Sequence, residues 1–244
     1  MKVLCIIPAR YASTRLPGKP LRDIAGKPMI VRVYERAVRA RLVQDVVVAT
    51  DDERILAAVE KHGGRAVMTR ADHATGTDRL AEVAEKMTGY DLIINVQGDE
   101  PLIDPAVIDA LVEPFLADGS LPMATAKTLL TDEEEMANPN NVKVITDQRG
   151  NALYFSRARI PYARNPGAQV YKHIGIYAYR RDFLLAYARM AQTPLELSES
   201  LEQLRALENG HTIRVIEMDA VFIGVDTEED LAAVNEVYQK QGIY

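Results

Sequence analysis

The sequence of 244 residues predicts an α/β fold with a mostly parallel sheet, helices on both of its faces, and a smaller mixed α+β lobe. Two observations indicate this fold. In the first half of the chain, short runs that are apolar at every position alternate with helix-length segments, as in parallel strands buried on both faces. After Met123 the strand-like runs alternate apolar and polar residues or are linked by turns, which is typical of a mixed sheet.

Four strand–helix pairs are predicted in the first half. Each strand is a short apolar run such as V-L-C-I-I or L-I-I-N-V, and a helical segment follows it. Asp104 is the predicted N-cap of the fourth helix, and Pro105 occupies the first helical position, where an N–H is not needed. The predicted elements are strand 3–7, helix 29–41, strand 46–50, helix 52–62, strand 66–68, helix 77–87, strand 92–96 and helix 105–117.

The second half predicts a different arrangement, in which D-Q-R-G-N at 147–151 forms a hairpin turn. The predicted elements are strands 123–127, 142–146, 152–156 and 174–179, helices 182–190 and 198–208, strand 213–216, and a helix from Thr227. No repeat and no long linker is present. We therefore expect one α/β core, residues 1–122 with 210–244, and an inserted lobe, residues 123–209.

Composition excludes several classes of protein. The single cysteine, Cys5, lies in an apolar strand and rules out a disulfide scaffold or a cysteine-based zinc site. No apolar run approaches the ~20 residues of a membrane span. The chain start lacks the pattern of a signal peptide, so we expect a cytoplasmic protein. A net charge of −6 argues against a general nucleic-acid binder.

Positive charge is concentrated at the start of the chain. Residues 1–41 contain ten basic and two acidic residues, a net charge of +8, so the remaining residues together are acidic. Three of these cations recur at helical spacing and predict a solvated helix face: Arg32, Arg36 and Arg39.

The loop at 8–20, P-A-R-Y-A-S-T-R-L-P-G-K-P, follows the first strand, where open α/β sheets bind ligands. It carries three cations that helical periodicity does not explain: Arg10, Arg15 and Lys19. Ser13 and Thr14 add hydroxyls, and Gly18 lets backbone N–H groups approach a phosphate. A P-loop is excluded because Ser13 replaces a required glycine and Pro20 replaces the hydroxyl residue that binds Mg²⁺. The loop therefore predicts a triphosphate site of another kind, or a merely basic loop.

Five blocks of sequence, in order along the chain, resemble one enzyme family. The opening block is I-P-A-R-Y-A-S-T-R-L-P-G-K-P-L with I-A-G-K-P-M-I, and the second is M-T-R-A-D-H-A-T-G-T-D-R-L. N-V-Q-G-D-E-P follows, then Y-F-S-R-A-R-I-P with H-I-G-I-Y, and finally L-E-Q-L-R with G-V-D-T. Together they resemble the 3-deoxy-manno-octulosonate cytidylyltransferases, or CMP-Kdo synthetases. The resemblance implies a Rossmann-like nucleotidyltransferase core that binds nucleotide and a second lobe for sugar binding and dimerisation.

The implied reaction is attack of the C2 hydroxyl of 3-deoxy-D-manno-octulosonate (Kdo) on the α-phosphate of CTP, with Mg²⁺ as cofactor. Asp99 and Asp226 are the implied metal ligands, although local sequence alone lets Asp226 or Thr227 cap the last helix. Gln97 is a candidate reader of the cytosine edge or a strand-end amide that bonds backbone. The implied catalytic residues are Arg10, Lys19, Asp99 and Asp226. The implied nucleotide-binding residues are Arg10, Ser13, Arg15, Lys19, Arg70, Asp72, Thr75, Gly76 and Gln97.

The second lobe is expected to hold the sugar acid. A guanidinium suits a carboxylate because it donates paired hydrogen bonds, which favours Arg157, with Arg159 as a competing candidate on the same strand face. The resemblance implies these sugar-binding residues: Arg157, His173, Tyr177, Glu202 and Gln203. The alternatives from local sequence are a structural histidine for His173, a core or interface residue for Tyr177, and a surface acid on a helix for Glu202.

Three other functions compete with this interpretation. One is the same transfer to 8-amino-Kdo or another acid sugar such as sialate. Another is a non-catalytic sugar-nucleotide-binding protein, and the third, a P-loop kinase, is already disfavoured by Ser13 and Pro20. The resemblance implies CTP and Kdo as substrates, a homodimer, no nucleic-acid or membrane partner, and a product used in lipopolysaccharide synthesis.

Overall fold

The computed structural model describes residues 1–13, 16–219 and 222–241. The chain groups into two compact units, residues 1–109 with 221–244, and residues 110–220. The predicted division differs at 110–122 and 210–220, which it assigned to the core. The strand Ile213–Glu217 groups with the second unit because it pairs along its whole length with the strand that begins at Met123.

The first unit alternates strands and helices as predicted. Its elements are β1 (Val3–Ala9), a 3-10 turn (Lys19–Leu21), β2 (Asp23–Ile24), β3 (Lys27–Pro28), α1 (Met29–Ala37), β4 (Asp45–Thr50), α2 (Glu53–Lys61), β5 (Ala66–Met68), α3 (Gly76–Lys86) and β6 (Leu92–Asn95). The helix α4 (Pro105–Ala117) follows, and Asp104 caps it by accepting a hydrogen bond from the Ala106 N–H at 2.9 Å. The short antiparallel pair β2–β3 was not predicted.

Four strands of the first unit form a parallel sheet in the order β5-β4-β1-β6. Every residue of β6, and nearly every residue of β1 and β4, is buried. Successive connections run outward from β1 to β4 and β5, and the chain then returns to the other side of β1 to form β6. Ligands in open α/β sheets bind where the strand order reverses in this way, beyond the carboxyl ends of the strands. The topology therefore places a binding crevice after Ala9 and Asn95.

The second unit is built on a mixed sheet. Its elements are β7 (Met123–Leu130), α5 (Glu133–Ala137), β8 (Lys143–Thr146), β9 (Ala152–Ser156), β10 (Val170–Arg180), α6 (Arg181–Tyr187), α7 (Pro194–Glu199), α8 (Leu204–Glu208) and β11 (Ile213–Glu217). β7 pairs parallel with β11 and antiparallel with β10, while β8 pairs antiparallel with both β10 and β9. This is the predicted mixed α+β lobe, and α5 is an element that sequence patterning missed.

The predicted helix 198–208 is wrong, because two short helices, α7 and α8, replace it. Ser200 adopts a left-handed conformation (φ 52°, ψ 49°) that ends α7. Residues 201–203 then form a turn before α8 begins at Leu204. Glu202 consequently lies on a turn between helices instead of on a solvated helical face.

The predicted solvated arginine face is also wrong for two of its three members. Arg32 is only 2% exposed, donates hydrogen bonds to the carbonyls of Ile24 and Ala25, and stacks over the ring of Tyr238. Arg36 donates to the Ile103 carbonyl at 2.7 Å. The carbonyls of the β2–β3 hairpin and of the segment before α4 accept these hydrogen bonds, so both guanidinium groups bind other parts of the fold.

The last helix, α9 (Glu228–Gln241), packs back onto the first unit. Its buried residues share an apolar cluster with Leu16 of the basic loop, with Met29 at the start of α1, and with Val225 of the segment that carries Asp226. The cluster therefore holds the basic loop and that segment against one surface. Within the described ranges, no helix combines the length and the apolar character needed to cross a bilayer.

Candidate active site

A cavity of about 350 Å³ opens at the carboxyl ends of β1 and β6. This is the position that the strand order predicts for a ligand. The cavity lies entirely within the first unit and its lining is mainly polar or charged. The lining residues are Pro8, Ala9, Arg10, Ala12, Ser13, Lys19, Pro20, Gln97, Gly98, Asp99 and Asp226.

The central feature of the cavity is one ammonium group between two carboxylates. Lys19 Nζ lies 2.6 Å from Asp99 Oδ2 and 2.9 Å from Asp226 Oδ1. Burial alone would lower the pKa of Lys19, but the two carboxylates outweigh it and raise that pKa. Lys19 is therefore charged at neutral pH, and the three groups together carry one net negative charge.

One backbone contact brings Asp99 and Asp226 together, and a second places the Asp99 segment against β1. The Val225 N–H donates to the Asp99 carbonyl at 2.9 Å, so the segment before α9 adds to the end of β6. Gly98 permits the close approach of β1, since a Cβ at that position would lie 2.7 Å from the Pro8 carbonyl oxygen. Both contacts join segments that are far apart in the sequence, so neither can be predicted from a local pattern.

Thr227, not Asp226, caps the final helix, which decides between the two alternatives left by the sequence. Thr227 Oγ1 accepts from the Asp230 N–H at 3.2 Å, and the Asp230 carboxylate accepts from the Thr227 N–H at 2.9 Å. This reciprocal pair is a capping box with aspartate in the usual glutamate position. The side chain of Asp226 is thereby left to face the cavity.

The basic loop is held in place by contacts on both sides. Arg10 donates to the His73 carbonyl at 2.9 Å, and Ser13 Oγ accepts from the Leu16 N–H at 3.4 Å. The Arg54 guanidinium stacks 3.4 Å from the centre of the Tyr11 ring. Arg10, Ser13 and Lys19 all line the cavity, whereas Arg15 lies outside the described residues.

Residues of the second block lie near the start of α3, and none of them lines the cavity. Arg70 and Asp72 form a mutual ion pair with both side chains more than two-thirds exposed. Thr75 caps α3 in a capping box with Asp78, and Gly76 is the first helical residue. Four residues of this segment are predicted to bind nucleotide, and in the structure their contacts are within the segment itself: Arg70, Asp72, Thr75 and Gly76.

Sequence reasoning missed Glu82, which organises this same segment. Its carboxylate accepts hydrogen bonds from the His73 ring, the Arg70 N–H and the Lys86 ammonium group. Burial acts to raise the pKa of Glu82, but the hydrogen bonds from Lys86 and His73 outweigh it and lower that pKa to about 2. The carboxylate therefore anchors the His73 segment, whose carbonyl accepts from Arg10. Helical spacing between Glu82 and Lys86 was the only signal available in the sequence.

In the second unit, three of the predicted sugar-binding residues lie close together. The ring centres of His173 and Tyr177 are 5.5 Å apart, and Glu202 interacts electrostatically with Tyr177. Burial lowers the pKa of His173 to about 3 and raises that of Tyr177, so both side chains are neutral at pH 7. The Tyr187 hydroxyl donates to the Glu202 carbonyl at 2.6 Å and fixes the turn on which Glu202 lies.

Arg157 is tied to the same turn by backbone hydrogen bonds. Its guanidinium donates to the carbonyls of Glu199, Ser200 and Pro139 at 2.7, 3.3 and 3.1 Å. Gln203, the next residue after Glu202, is 4% exposed and precedes α8. The structure therefore brings the predicted sugar-binding residues to one region, with Arg157 supporting the turn.

The competing candidate Arg159 is used differently. Its guanidinium forms a two-point ion pair with the carboxylate of Glu133, at 2.5 and 3.1 Å. β9 ends at Ser156, so the strand alternation that would have aligned Arg159 with Arg157 does not apply. Glu199 is a further residue missed by sequence reasoning, because its carboxylate accepts from the Ser156 hydroxyl and the Arg157 N–H.

Known proteins similar to this chain are cytidylyltransferases. A family model described as cytidylyltransferase matches residues 4–213. A 3-deoxy-manno-octulosonate cytidylyltransferase of Geobacter metallireducens is 56% identical over 248 residues, covering 97% of each chain. The enzyme of that name from Fusobacterium nucleatum is 54% identical over 244 residues, covering 100% of this chain and 99% of the relative.

Solved structures show the same similarity. A CMP:2-keto-3-deoxy-manno-octonic acid synthetase complexed with CTP matches with a TM-score of 0.95 at 48% identity, covering 99% of this chain and 100% of that chain. A 4-diphosphocytidyl-2C-methyl-D-erythritol synthase from Anaerococcus prevotii matches with a TM-score of 0.65 at 14% identity, covering 98% and 96%. The second match shares the fold alone.

Proposed function

This chain belongs to the cytidylyltransferase family, among the 3-deoxy-manno-octulosonate cytidylyltransferases, and we propose that it transfers CMP from CTP to the C2 hydroxyl of Kdo. The product is CMP-Kdo, and pyrophosphate is released. The observation that carries the proposal is similarity above 50% identity over nearly the whole chain, combined with a charged cavity at the strand-order reversal.

The reaction is a direct displacement at phosphorus. The C2 hydroxyl oxygen of Kdo forms a bond to the α-phosphorus of CTP, the bond from that phosphorus to the α,β-bridging oxygen breaks to release pyrophosphate, and the proton of the C2 hydroxyl is lost to solvent. Both substrates are anionic, so the protein must offset their repulsion and align the attack. Arg10 and Lys19 line the cavity and are the charges that would receive the triphosphate. The cavity lining contains no histidine among its described residues, so no histidine base is placed there.

The donor set in the cavity fits Mg²⁺ bound together with a nucleotide. Asp99 and Asp226 are one-third to one-half exposed and lie close enough to share one ammonium group. Mg²⁺ with nucleotides commonly uses one or two protein carboxylates and completes its coordination with phosphate and water oxygens. Across the part of the chain that the structure describes, no group of three or more His, Cys, Asp or Glu side chains forms an all-protein metal cage. When bound, Mg²⁺ would supply charge neutralisation at the phosphates.

Recognition of the sugar acid is proposed for the second unit. Arg157 would contribute its remaining N–H groups to the carboxylate, while His173, Tyr177, Glu202 and Gln203 would meet hydroxyl groups. The neutral state of His173 and Tyr177 supports this role, since a sugar is recognised chiefly through neutral hydrogen bonds. We further propose a homodimer, a cytoplasmic location where CTP is available, and use of the product in lipopolysaccharide synthesis.

Pyrophosphate release with CTP and Mg²⁺ tests the function, comparing Kdo, 8-amino-Kdo and sialic acid as acceptors. UTP in place of CTP and EDTA in place of Mg²⁺ are the controls. Release that requires Kdo, CTP and Mg²⁺ together is the expected result. Preference for 8-amino-Kdo would keep the chemistry and change the substrate. A folded protein that binds CTP but turns over no acid sugar would refute the proposal in favour of a non-catalytic binder.

A further inference from the structure

Thr125 in β7 and His173 in β10 form a buried polar contact. Thr125 is fully buried and His173 is 8% exposed. Thr125 Oγ1 lies 2.9 Å from His173 Nε2, and it also lies 3.0 and 2.8 Å from the carbonyl oxygens of Ile174 and Ile176. The pairing of β10 with β7 shifts register between Ile174 and Tyr177. This irregularity directs two nearby carbonyls to one hydroxyl, which a regular strand would not do.

The number of hydrogens at this contact decides the state of the imidazole. Both carbonyls can only accept, and Thr125 has a single hydroxyl hydrogen. If that hydrogen goes to His173 Nε2, the hydroxyl makes no hydrogen bond to either carbonyl. If it goes to a carbonyl, Nε2–H can donate to Oγ1 and both hydrogen bonds form. The second arrangement satisfies more buried polar groups and is favoured, because an unmade buried hydrogen bond costs ~1–3 kcal/mol.

The other ring nitrogen of His173 is then an acceptor. The ring is neutral and carries its hydrogen on Nε2, which leaves a lone pair on Nδ1. Within residues 1–13, 16–219 and 222–241, no protein group bonds to Nδ1. Phe155 packs its ring edge-to-face on the imidazole, with centres 4.8 Å apart, and restricts rotation of the imidazole. Nδ1 is therefore a fixed acceptor without a protein donor.

We infer that Thr125 holds His173 in the Nε2–H tautomer, so that His173 reads a hydrogen-bond donor of the sugar acid, a hydroxyl group, and not its carboxylate. This inference rests on the proposed function for the identity of the ligand. Thr125 is then a positioning residue, and the carboxylate of the sugar acid is bound by cationic groups. An amine could replace a hydroxyl at Nδ1, because both groups donate.

Nitrogen NMR of the full-length ¹⁵N-labelled protein tests the tautomer without any substrate. The chain has four histidines, and loss of one set of signals in His173→Gln identifies those of His173. We expect a protonated, pyrrole-like Nε2 and an unprotonated, pyridine-like Nδ1. A proton on Nδ1 would overturn the inference, whether or not the protein turns over Kdo. Saturation with Kdo should shift the Nδ1 resonance, and an unmoved resonance would refute the recognition role.

Substitutions of Thr125 test its positioning role. Thr125→Val removes the hydroxyl at similar volume, and we expect mixed His173 tautomers and a KM for Kdo roughly tenfold higher, with KM for CTP unchanged. Thr125→Ser retains the hydroxyl and should restore both the tautomer and KM. Thr128→Val makes the same chemical change three residues along β7 and should alter neither. Equal effects of the Val substitutions at 125 and 128 would contradict the assignment. If Thr125→Val does not fold, Thr125→Ser still tests the assignment, because a changed His173 tautomer in that variant would contradict it.

Discussion

The cavity of the first unit and the cluster of Thr125, His173 and Tyr177 in the second unit differ in the charge and burial of their polar groups. In the cavity, Lys19, Asp99 and Asp226 are charged, and their side chains are 15%, 33% and 44% exposed. In the cluster, Thr125, His173 and Tyr177 are neutral, and aromatic rings pack against one another. This difference agrees with the proposed roles, since a triphosphate is bound through charges, whereas a sugar is bound chiefly through neutral groups with a fixed orientation.

The physical basis of this difference is the cost of desolvation. Charges buried without water lose solvation energy that their mutual attraction repays only with excellent geometry. The cavity charges stay near water and so remain able to receive a ligand. Neutral donors and acceptors lose less on burial, and packing can fix their direction.

Removal of a cavity carboxylate should have the largest effect. Asp99→Asn keeps the shape but removes a charge, and we expect pyrophosphate release to fall at least ~10²-fold because the site would hold Mg²⁺ less well and so lose charge neutralisation at the phosphates. Initial-rate kinetics at saturating CTP and Kdo measure it. Asp91→Asn, at the opposite end of β6, is the matched control and should remain active. Near-normal turnover in Asp99→Asn would exclude Asp99 from the reaction.

Removal of Lys19 should change metal binding as well as activity. In Lys19→Met, Asp99 and Asp226 would face each other without a cation, and like-charge repulsion would favour a divalent ion. We expect tighter Mn²⁺ binding than in the wild type without nucleotide, measured by electron paramagnetic resonance. The wild-type ammonium group competes for the same oxygens. Unchanged or weaker Mn²⁺ affinity would contradict a shared metal site on these carboxylates.

Glu82→Gln should weaken both the fold and CTP binding by a moderate amount. Folding lowers the pKa of Glu82 from 4.5 to about 2, so the ionised carboxylate stabilises the fold fully above pH 4.5 or so. This contribution is lost as the pH falls from 4.5 towards about 2. Denaturant unfolding across this range should show a shallower acid decline in the variant than in the wild type. KM for CTP should also rise, since Glu82 anchors the segment that accepts from Arg10. Glu60→Gln on α2, an exposed position, should leave both measurements unchanged.

Gly18→Ala should have the smallest effect. Gly18 has φ +65°, and a Cβ there would also lie 3.3 Å from the Tyr11 hydroxyl oxygen. Backbone strain alone should destabilise the fold by ~1 kcal/mol. Gly26→Ala carries the same kind of strain (φ +86°) with no atom near its Cβ, so it isolates the steric contribution. Thermal unfolding compares the two variants. Equal losses of stability would show that the Tyr11 side chain moves aside without an energetic cost.

Local sequence patterns predicted most of the first unit because its strands are apolar on both faces and its helices have clear caps. The strand Ala66–Met68 and the helix Pro105–Ala117 have the predicted bounds. Patterning failed where a tertiary contact overrides a local preference. Ser200 divides a predicted helix, and Arg157 bonds the carbonyls on either side of that break. Arg32 carries a charge typical of a surface, yet it is buried because the carbonyls of Ile24 and Ala25 accept its hydrogen bonds.

The α/β alternation, the basic loop after the first strand and the residue types at the strand ends follow from local sequence, because they depend on neighbours along the chain. Which of those groups meet depends on tertiary packing. Asp99 and Asp226 are 127 positions apart, and a backbone hydrogen bond from Val225 brings them to one lysine. The hydrogen position on His173 likewise depends on a hydroxyl from another strand. Such contacts are set by packing between distant segments, which no local pattern encodes.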